Sequence, residues 1–271
     1  MPASGSDRPG PSGAVRVRGP VGRHRPMVAS IPHGSEVLPE PFASQMLPVE
    51  ALRTDSHTAE LYSFVGGLGA TVVEARLSRY VADPNRDLDA PRFGPFPKGI
   101  VASTDGWRPL YPAPLAPDAV AERIALAHTS YHDALDRAIA SHLARAPRVL
   151  LVDLHSFGVP LDVDIVLGDG RGSTASQTAV GLLESALTHA GFRVARNRRF
   201  TGGWIVRRFA GVEAVDAVQV EVAKRLYADP AAIADRRRQV PRDPERIAAL
   251  RDRLRQAFEP VLDDYERWVR G

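Results

Sequence analysis

The segment Val149-Leu150-Leu151-Val152-Asp153-Leu154-His155 constrains the fold of this chain more than any other stretch. It is an apolar run that ends in polar residues, and it reads as the clearest strand in the protein. Shorter runs at 28–31, 70–75, 164–167, 192–195 and 215–221 read as further strands. Helices are predicted between them, from Thr54-Asp55 to a stop at Gly66-Gly67, then over 118–145 and 176–190. The last helix, 243–269, places Ile247, Leu250, Leu254, Phe258, Val261, Tyr265 and Trp268 at spacings of three and four, with a kink expected at Pro260. Strands alternating with helices define an α/β class, with a mostly parallel mixed sheet flanked by helices. In such sheets the ligand crevice lies beyond the carboxyl ends of the strands. His33, Arg79, His155 and Glu221 all fall at or just past predicted strand ends.

Composition narrows the chemistry. The chain has 271 residues, 44% hydrophobic and 25% charged, enough for one large domain with a core. We place that domain at 27–271. Residues 1–26, rich in Gly, Pro and Arg (Arg8, Arg16, Arg18, Arg23, Arg25), are expected to be a disordered basic tail, with Met27 as an alternative start. Residues 89–117, dense in Pro and Gly, are expected to form a long surface loop. There is no cysteine, which excludes disulfides, a thiol nucleophile and any Cys-ligated metal, so a metal must be held by His and carboxylates. The net charge is only +3, but Arg is heavily preferred over Lys, which suits planar capture of an anionic small substrate. A nucleic-acid partner is not expected, because the Arg residues are scattered and no aromatic stacking pattern accompanies them. No run is long and apolar enough to cross a membrane, and the N-terminal stretch lacks the apolar segment of a signal peptide. No membrane partner and a cytoplasmic location are therefore expected.

The turn Pro32-His33-Gly34-Ser35-Glu36 offers an imidazole and a carboxylate three residues apart, a spacing that surface turns also show. His155 is the best further ligand, and Asp153, two residues earlier on the same side of the strand, could orient a histidine ring. Glu221 closes an apolar strand, where a carboxylate is costly to bury without a task. It could take a proton from an attacking water and hand it to a leaving nitrogen, or simply pair with Lys224 or Arg225. Arg79 could polarise a carbonyl, and Asn85 with Arg86 could clamp a substrate carboxylate. His128 and His132, four apart on the long helix, are a rival metal pair. Their preferred role is to line the substrate pocket. Arg199, Gly203 and Trp204 belong to a cationic, glycine-containing loop at the mouth of the crevice.

Taken in order, Ile31-Pro32-His33-Gly34, Ser78-Arg79-Tyr80-Val81, Asn85-Arg86, Tyr131-His132, Asp153-Leu154-His155-Ser156, Gly202-Gly203 and Gln219-Val220-Glu221 resemble the N-formylglutamate amidohydrolase family. The resemblance implies kinship with zinc carboxypeptidases and aspartoacylases, and a zinc-carboxypeptidase/phosphorylase-hydrolase-like fold. It further implies a hydrolase that uses one Zn2+ ion to remove a formyl or small acyl group from an N-acyl amino acid. A peptide or natural product with a free carboxylate is the alternative substrate, and a non-catalytic anion-binding relative is the rival class. By the same resemblance zinc sits on His33, Glu36 and His155, with Glu221 as general base. Arg79 polarises the carbonyl, and Asn85 and Arg86 bind the substrate carboxylate. The position of Glu36 varies within the family, and Asp55 is its substitute.

Overall fold

In the computed structural model, which describes residues 8–9, 13–106, 108–235 and 238–271, the strands are β1 (Arg8–Pro9), β2 (Val15–Arg18), β3 (Met27–Ile31), β4 (Thr71–Ala75), β5 (Phe93–Pro95), β6 (Val101–Asp105), β7 (Arg108–Pro109), β8 (Val149–Phe157), β9 (Ile165–Gly168), β10 (Val194–Arg196) and β11 (Val215–Ala223). The helices are α1 (Thr58–Leu61), α2 (Pro117–Arg123), α3 (Ser130–Leu143), α4 (Gln177–His189), α5 (Trp204–Arg207), α6 (Pro230–Ala234) and α7 (Pro244–Arg270). The main sheet has eight strands in the order β1-β2-β4-β3-β8-β11-β9-β10. Its centre, β4-β3-β8-β11, is parallel throughout, while β2 and β9 join it antiparallel. The expected mixed, mostly parallel α/β architecture is what the chain forms.

The central strands are buried on both faces, which is why β8 opens as the continuous apolar run 149–152. Leu150, Val152 and Leu154 enter one core, covered by α1, α4 and α7 through Leu61, Leu183 and Leu254. Val149 and Leu151 enter the other, covered by α3 and α5 through Leu135 and Ile205. Following that second face toward the carboxyl ends, the side chains turn polar. Val28 gives way to Ser30, Leu151 to Asp153 and His155, and Ala217 to Gln219 and Glu221. The register aligns these changes, with Ser30 and Gln219 flanking Asp153, and Glu221 beside His155.

Helix ends follow local chemistry. Ser176 accepts the Ala179 N–H ahead of α4, and Asp243 accepts the Arg246 N–H ahead of α7, which runs as one helix through Pro260. The helix expected over 118–145 is divided by a π-helical turn at Ile124–Thr129. The helix expected from Thr54-Asp55 starts only at Thr58, so Asp55 lies on a turn.

Two expectations are corrected. Residues 1–7 and 10–12 of the expected tail lie outside the described residues, but Val15–Arg18 is a strand that pairs antiparallel with β4. Val15 and Val17 alternate with Arg16 and Arg18, a period-two pattern; Ala14 and Val15 are buried, and Arg18 Nη1 donates to Glu74 at 2.6 Å. The strand covers what would otherwise be an open edge of the sheet. The expected surface loop at 89–117 instead holds a three-stranded sheet, β5-β6-β7, and buries Ile100, Val101, Ala102 and Leu110. Gly94 and Gly99 make this possible, because a Cβ on Gly99 would lie 2.6 Å from the Gly94 carbonyl oxygen. The small sheet carries Phe96, which stacks on Tyr80 with ring centroids 5.6 Å apart.

Candidate metal centre and active-site cavity

His33 leaves the end of β3 through Pro32. Gly34 follows because a Cβ there would sit 2.7 Å from Thr58 Oγ1. That close approach lets the 54–58 turn pack against His33, and the Asp55 N–H donates to the His33 carbonyl at 3.1 Å. Asp55 thereby meets His155, which β8 delivers from the sheet. His155 Nδ1 lies 2.7 Å from Asp55 Oδ2, and His33 Nδ1 lies 3.6 Å from the same oxygen. The outward nitrogens are held as well: His33 Nε2 donates to Asp83 at 2.7 Å and His155 Nε2 to Asp153 at 2.8 Å. Both histidines thus aim Nδ1 at one shared carboxylate and anchor Nε2 on another. A ligating histidine is oriented in this way, its outer N–H held by a carboxylate. Ser30 Oγ in turn donates to Asp153 Oδ1 at 2.7 Å.

One ligand atom from each of His33, Asp55 and His155 lies within 4.8 Å of the others. Ligand atoms of a tetrahedral ion with bonds of about 2.0–2.2 Å stand roughly 3.3–3.6 Å apart, so small rotations seat all three on one ion. The two-nitrogen, one-oxygen set could hold a metal ion. Glu36 is not part of this group. It is exposed and accepts a hydrogen bond from Thr54 Oγ1 at 3.1 Å. Glu36 buttresses the turn that carries Asp55, and the shorter reach belongs to Asp55.

A cavity of about 850 Å³ opens over the cluster, bordered by His33, Asp55, Arg79, Arg86, His155 and Glu221. Glu221 is 6% exposed. Its Oε1 accepts from Gln219 Nε2 at 2.7 Å, and Gln219 Oε1 accepts the Gly203 N–H at 2.6 Å. Burial, reinforced by the nearby Asp55 and Asp153 carboxylates, pushes the Glu221 carboxyl up to about 7, against the pull of His155. Asp55 moves the other way. Burial disfavours its charge, but hydrogen bonds from His155 and His33 hold it well below the usual carboxylate range. Burial likewise opposes the charge on Asp83, yet Arg79, His33 and Arg86 keep it ionised. Arg79 donates to Asp83 through Nε at 3.1 Å and through Nη2, while its guanidinium lies over Phe96 at 5.1 Å from the ring centroid.

Asn85, Arg199 and Gly203 also border the cavity. Asn85 is engaged on both sides of its amide, donating to Asp153 Oδ2 at 3.3 Å and accepting the Ile205 N–H at 2.9 Å. His128, His132 and Trp204 do not border it. His132 Nε2 donates to the Pro84 carbonyl and His128 Nε2 to the Arg86 carbonyl, each at 2.8 Å. The two histidines therefore grip the backbone on either side of Asn85 from behind and do not line the pocket. Burial lowers both, His132 to about 3, so neither adds a charge. Trp204 opens α5, half-buried. Sequence reasoning gave no role to Asp83, although it stands just before Pro84-Asn85-Arg86, nor to Gln219, which shares the face of Glu221. Lys98 and Arg207 were missed as well, and both border the cavity.

Residues 25–228 match the family model of N-formylglutamate amidohydrolases. The N-formylglutamate deformylase of Pseudomonas aeruginosa is 34% identical over 220 residues, covering 75% of this chain and 82% of that one. The enzyme of the same name from Pseudomonas putida is 30% identical over 220 residues, covering 74% and 81%. Among solved structures, an N-formylglutamate amidohydrolase from Ralstonia eutropha superposes with a TM-score of 0.81 at 26% identity, covering 94% of this chain and 98% of that one.

Proposed function

The chain belongs to the N-formylglutamate amidohydrolase family, and we propose from that premise that it is a zinc-dependent amidohydrolase. It removes a formyl or small acyl group from an N-acyl amino acid, with N-formylglutamate as the first substrate. The observation that carries this reading is the pair of histidines sharing Asp55 on their inner nitrogens, with outer nitrogens on Asp83 and Asp153, beneath a cavity that also holds Glu221 and Arg79. His33, Asp55 and His155 would hold the ion. When bound, it supplies Lewis acidity that polarises the amide carbonyl and makes water a better nucleophile.

The protein's own groups do the rest. The Glu221 carboxylate accepts a proton from the attacking water as the new C–O bond forms. It returns that proton to the amide nitrogen as the C–N bond breaks, releasing formate and the free amino acid. Arg79 donates to the developing oxyanion, and its pairing with Asp83 fixes the guanidinium for that task. Arg86 binds the carboxylate next to the scissile amide.

Metal analysis of the purified protein, combined with formate release from N-formyl-L-glutamate and a panel of other N-acyl amino acids, tests the reading. Stoichiometric zinc with turnover that Glu221→Ala abolishes supports it. Metal and anion binding without turnover on any member of the panel would make the chain a binding protein. A metal-free protein whose activity survives His33→Ala would end the metal proposal.

A further inference from the structure

The carboxylate clamp expected from Asn85 and Arg86 is incomplete in the folded protein. The Asn85 amide oxygen is taken by the Ile205 N–H at 2.9 Å, and its nitrogen faces Asp153 Oδ2 at 3.3 Å and His155 Nε2 at 3.2 Å. Gly203 closes over the same amide so tightly that a Cβ there would stand 2.3 Å from it. Asn85 thus ties the 83–86 loop to β8 and α5 and has little left for a ligand.

The helix that occupies Asn85 offers a replacement. Two residues beyond Ile205, Arg207 ends α5, is exposed and borders the catalytic cavity. Its guanidinium forms no hydrogen bond or ion pair among the described residues. Arg86 borders the same cavity. Its Nη2 lies 3.3 Å from Asp83 Oδ2, but that carboxylate already serves His33, Arg79 and the Asn85 N–H. Arg86 Nη1 donates to the Asn85 carbonyl at 2.8 Å, and Arg86 Nε is buried with no partner among the described residues. Both guanidiniums border one cavity, and burial, with the positive fields of Arg79 and Arg207, disfavours the charge on Arg86 against the pull of Asp83. Two guanidiniums on one cavity wall favour an anion between them, and a carboxylate bridging them would be held by both.

We propose that Arg207 and Arg86 together form the clamp for the carboxylate adjacent to the scissile amide, with Asn85 as a positioning residue that holds the loop against α5. This rests on the amidohydrolase reading above and names the groups that read its substrate. It makes the 204–207 helix a specificity element, because it carries one half of the clamp.

The test compares Arg207→Met and Arg207→Lys with the wild-type holoenzyme on three substrates. N-formyl-L-glutamate carries both carboxylates, N-formyl-L-isoglutamine has the α-carboxylate replaced by an amide, and N-formyl-L-glutamine lacks the γ-carboxylate. Arg207→Met should raise KM about 10- to 100-fold on N-formyl-L-glutamate and N-formyl-L-glutamine, with little change in kcat and none in melting temperature. On N-formyl-L-isoglutamine it should change KM by less than about threefold, and Arg207→Lys should recover part of the loss. An equal penalty on all three substrates, or one that follows the γ-carboxylate, overturns the assignment. If the wild type turns over none of them, the amidohydrolase reading fails on its own. Calorimetric titration with L-glutamate and L-isoglutamine still decides Arg207 in that case. A preference for L-glutamate that Arg207→Met removes supports the clamp, and an unchanged preference rejects it.

Discussion

Asp55 shows how a single residue acquires its role from its neighbours. It sits on a turn between predicted elements, with no motif of its own, and its carboxylate is set between His33 and His155 by the backbone bond from its N–H to the His33 carbonyl. Asp55→Asn should lower bound metal at least tenfold, while Glu36→Gln should leave it near wild type, as read by elemental analysis after dialysis. Asp83→Asn, which weakens the anchor on His33 Nε2, should weaken metal affinity about 10- to 100-fold. Glu221 makes a pH prediction. In its proposed role as general base Glu221 works ionised, and burial with Asp55 and Asp153 raises this carboxyl to about 7. Activity should therefore fall as pH drops through about 7 or somewhat below, because a bound dication pulls the value down. Glu221→Gln should lower kcat about 10²- to 10⁴-fold, and its residual rate should lack that acid limb. If the limb persists in the mutant, another group carries it.

At the scale of elements, short pieces do more than their length implies. Strand β2 pairs four residues of β4 and packs Val15 against the second core. A chain begun at Met27 should melt well below the full chain, because it exposes that apolar edge and leaves β4 unpaired on one side. Equal melting temperatures would show that the strand contributes nothing. The π-helical turn at Ile124–Thr129 holds His128, and α3 holds His132, so that their Nε2 atoms reach carbonyls two residues apart. His132→Ala should leave metal content unchanged and raise KM, since it frees the loop that carries Arg86. Gly203→Ala should cost about 1–3 kcal/mol in stability, given the contact with Asn85, which thermal melting would detect.

The whole molecule is joined at Asp216, far from the cavity. This carboxylate accepts from Arg148 Nε and Nη2, each at 3.1 Å, from the Ser176 N–H at 2.6 Å and from the Tyr265 hydroxyl at 2.8 Å. It therefore binds the starts of β8, β11 and α4 to the C-terminal helix. Burial opposes its charge, but these donors outweigh burial and hold its carboxyl below the usual range. A lowered folded value means the stabilisation is present above the unfolded pKa of about 3.9 and is lost as pH falls below it. Asp216→Asn should cost about 1–3 kcal/mol at neutral pH and flatten the acid side of the stability curve below roughly pH 4. A mutant that loses stability equally at every pH would place the effect in packing instead.

How much of this was legible follows from the range over which each feature is encoded. Period and composition are local, so the main-sheet strands from Met27 to Ala223, the long helices and the α/β class were readable from apolar runs and spacings alone, while the small sheet at 93–109 was not. The polar ends of those runs pointed to His155 and Glu221 because a strand that turns polar on one face must open there. The strand at 15–18 was also written in its alternation, but the surrounding Gly, Pro and Arg masked four residues of signal. What the sequence could not decide was which carboxylate meets His33. Glu36 is three residues away along the chain and Asp55 is 22, yet the packing of Gly34 against Thr58 brings the distant one closer. The same holds for Asn85, whose amide oxygen is taken by the Ile205 N–H across 120 positions. Which side chains far apart in sequence come together is a long-range matter, and only the tertiary fold sets it.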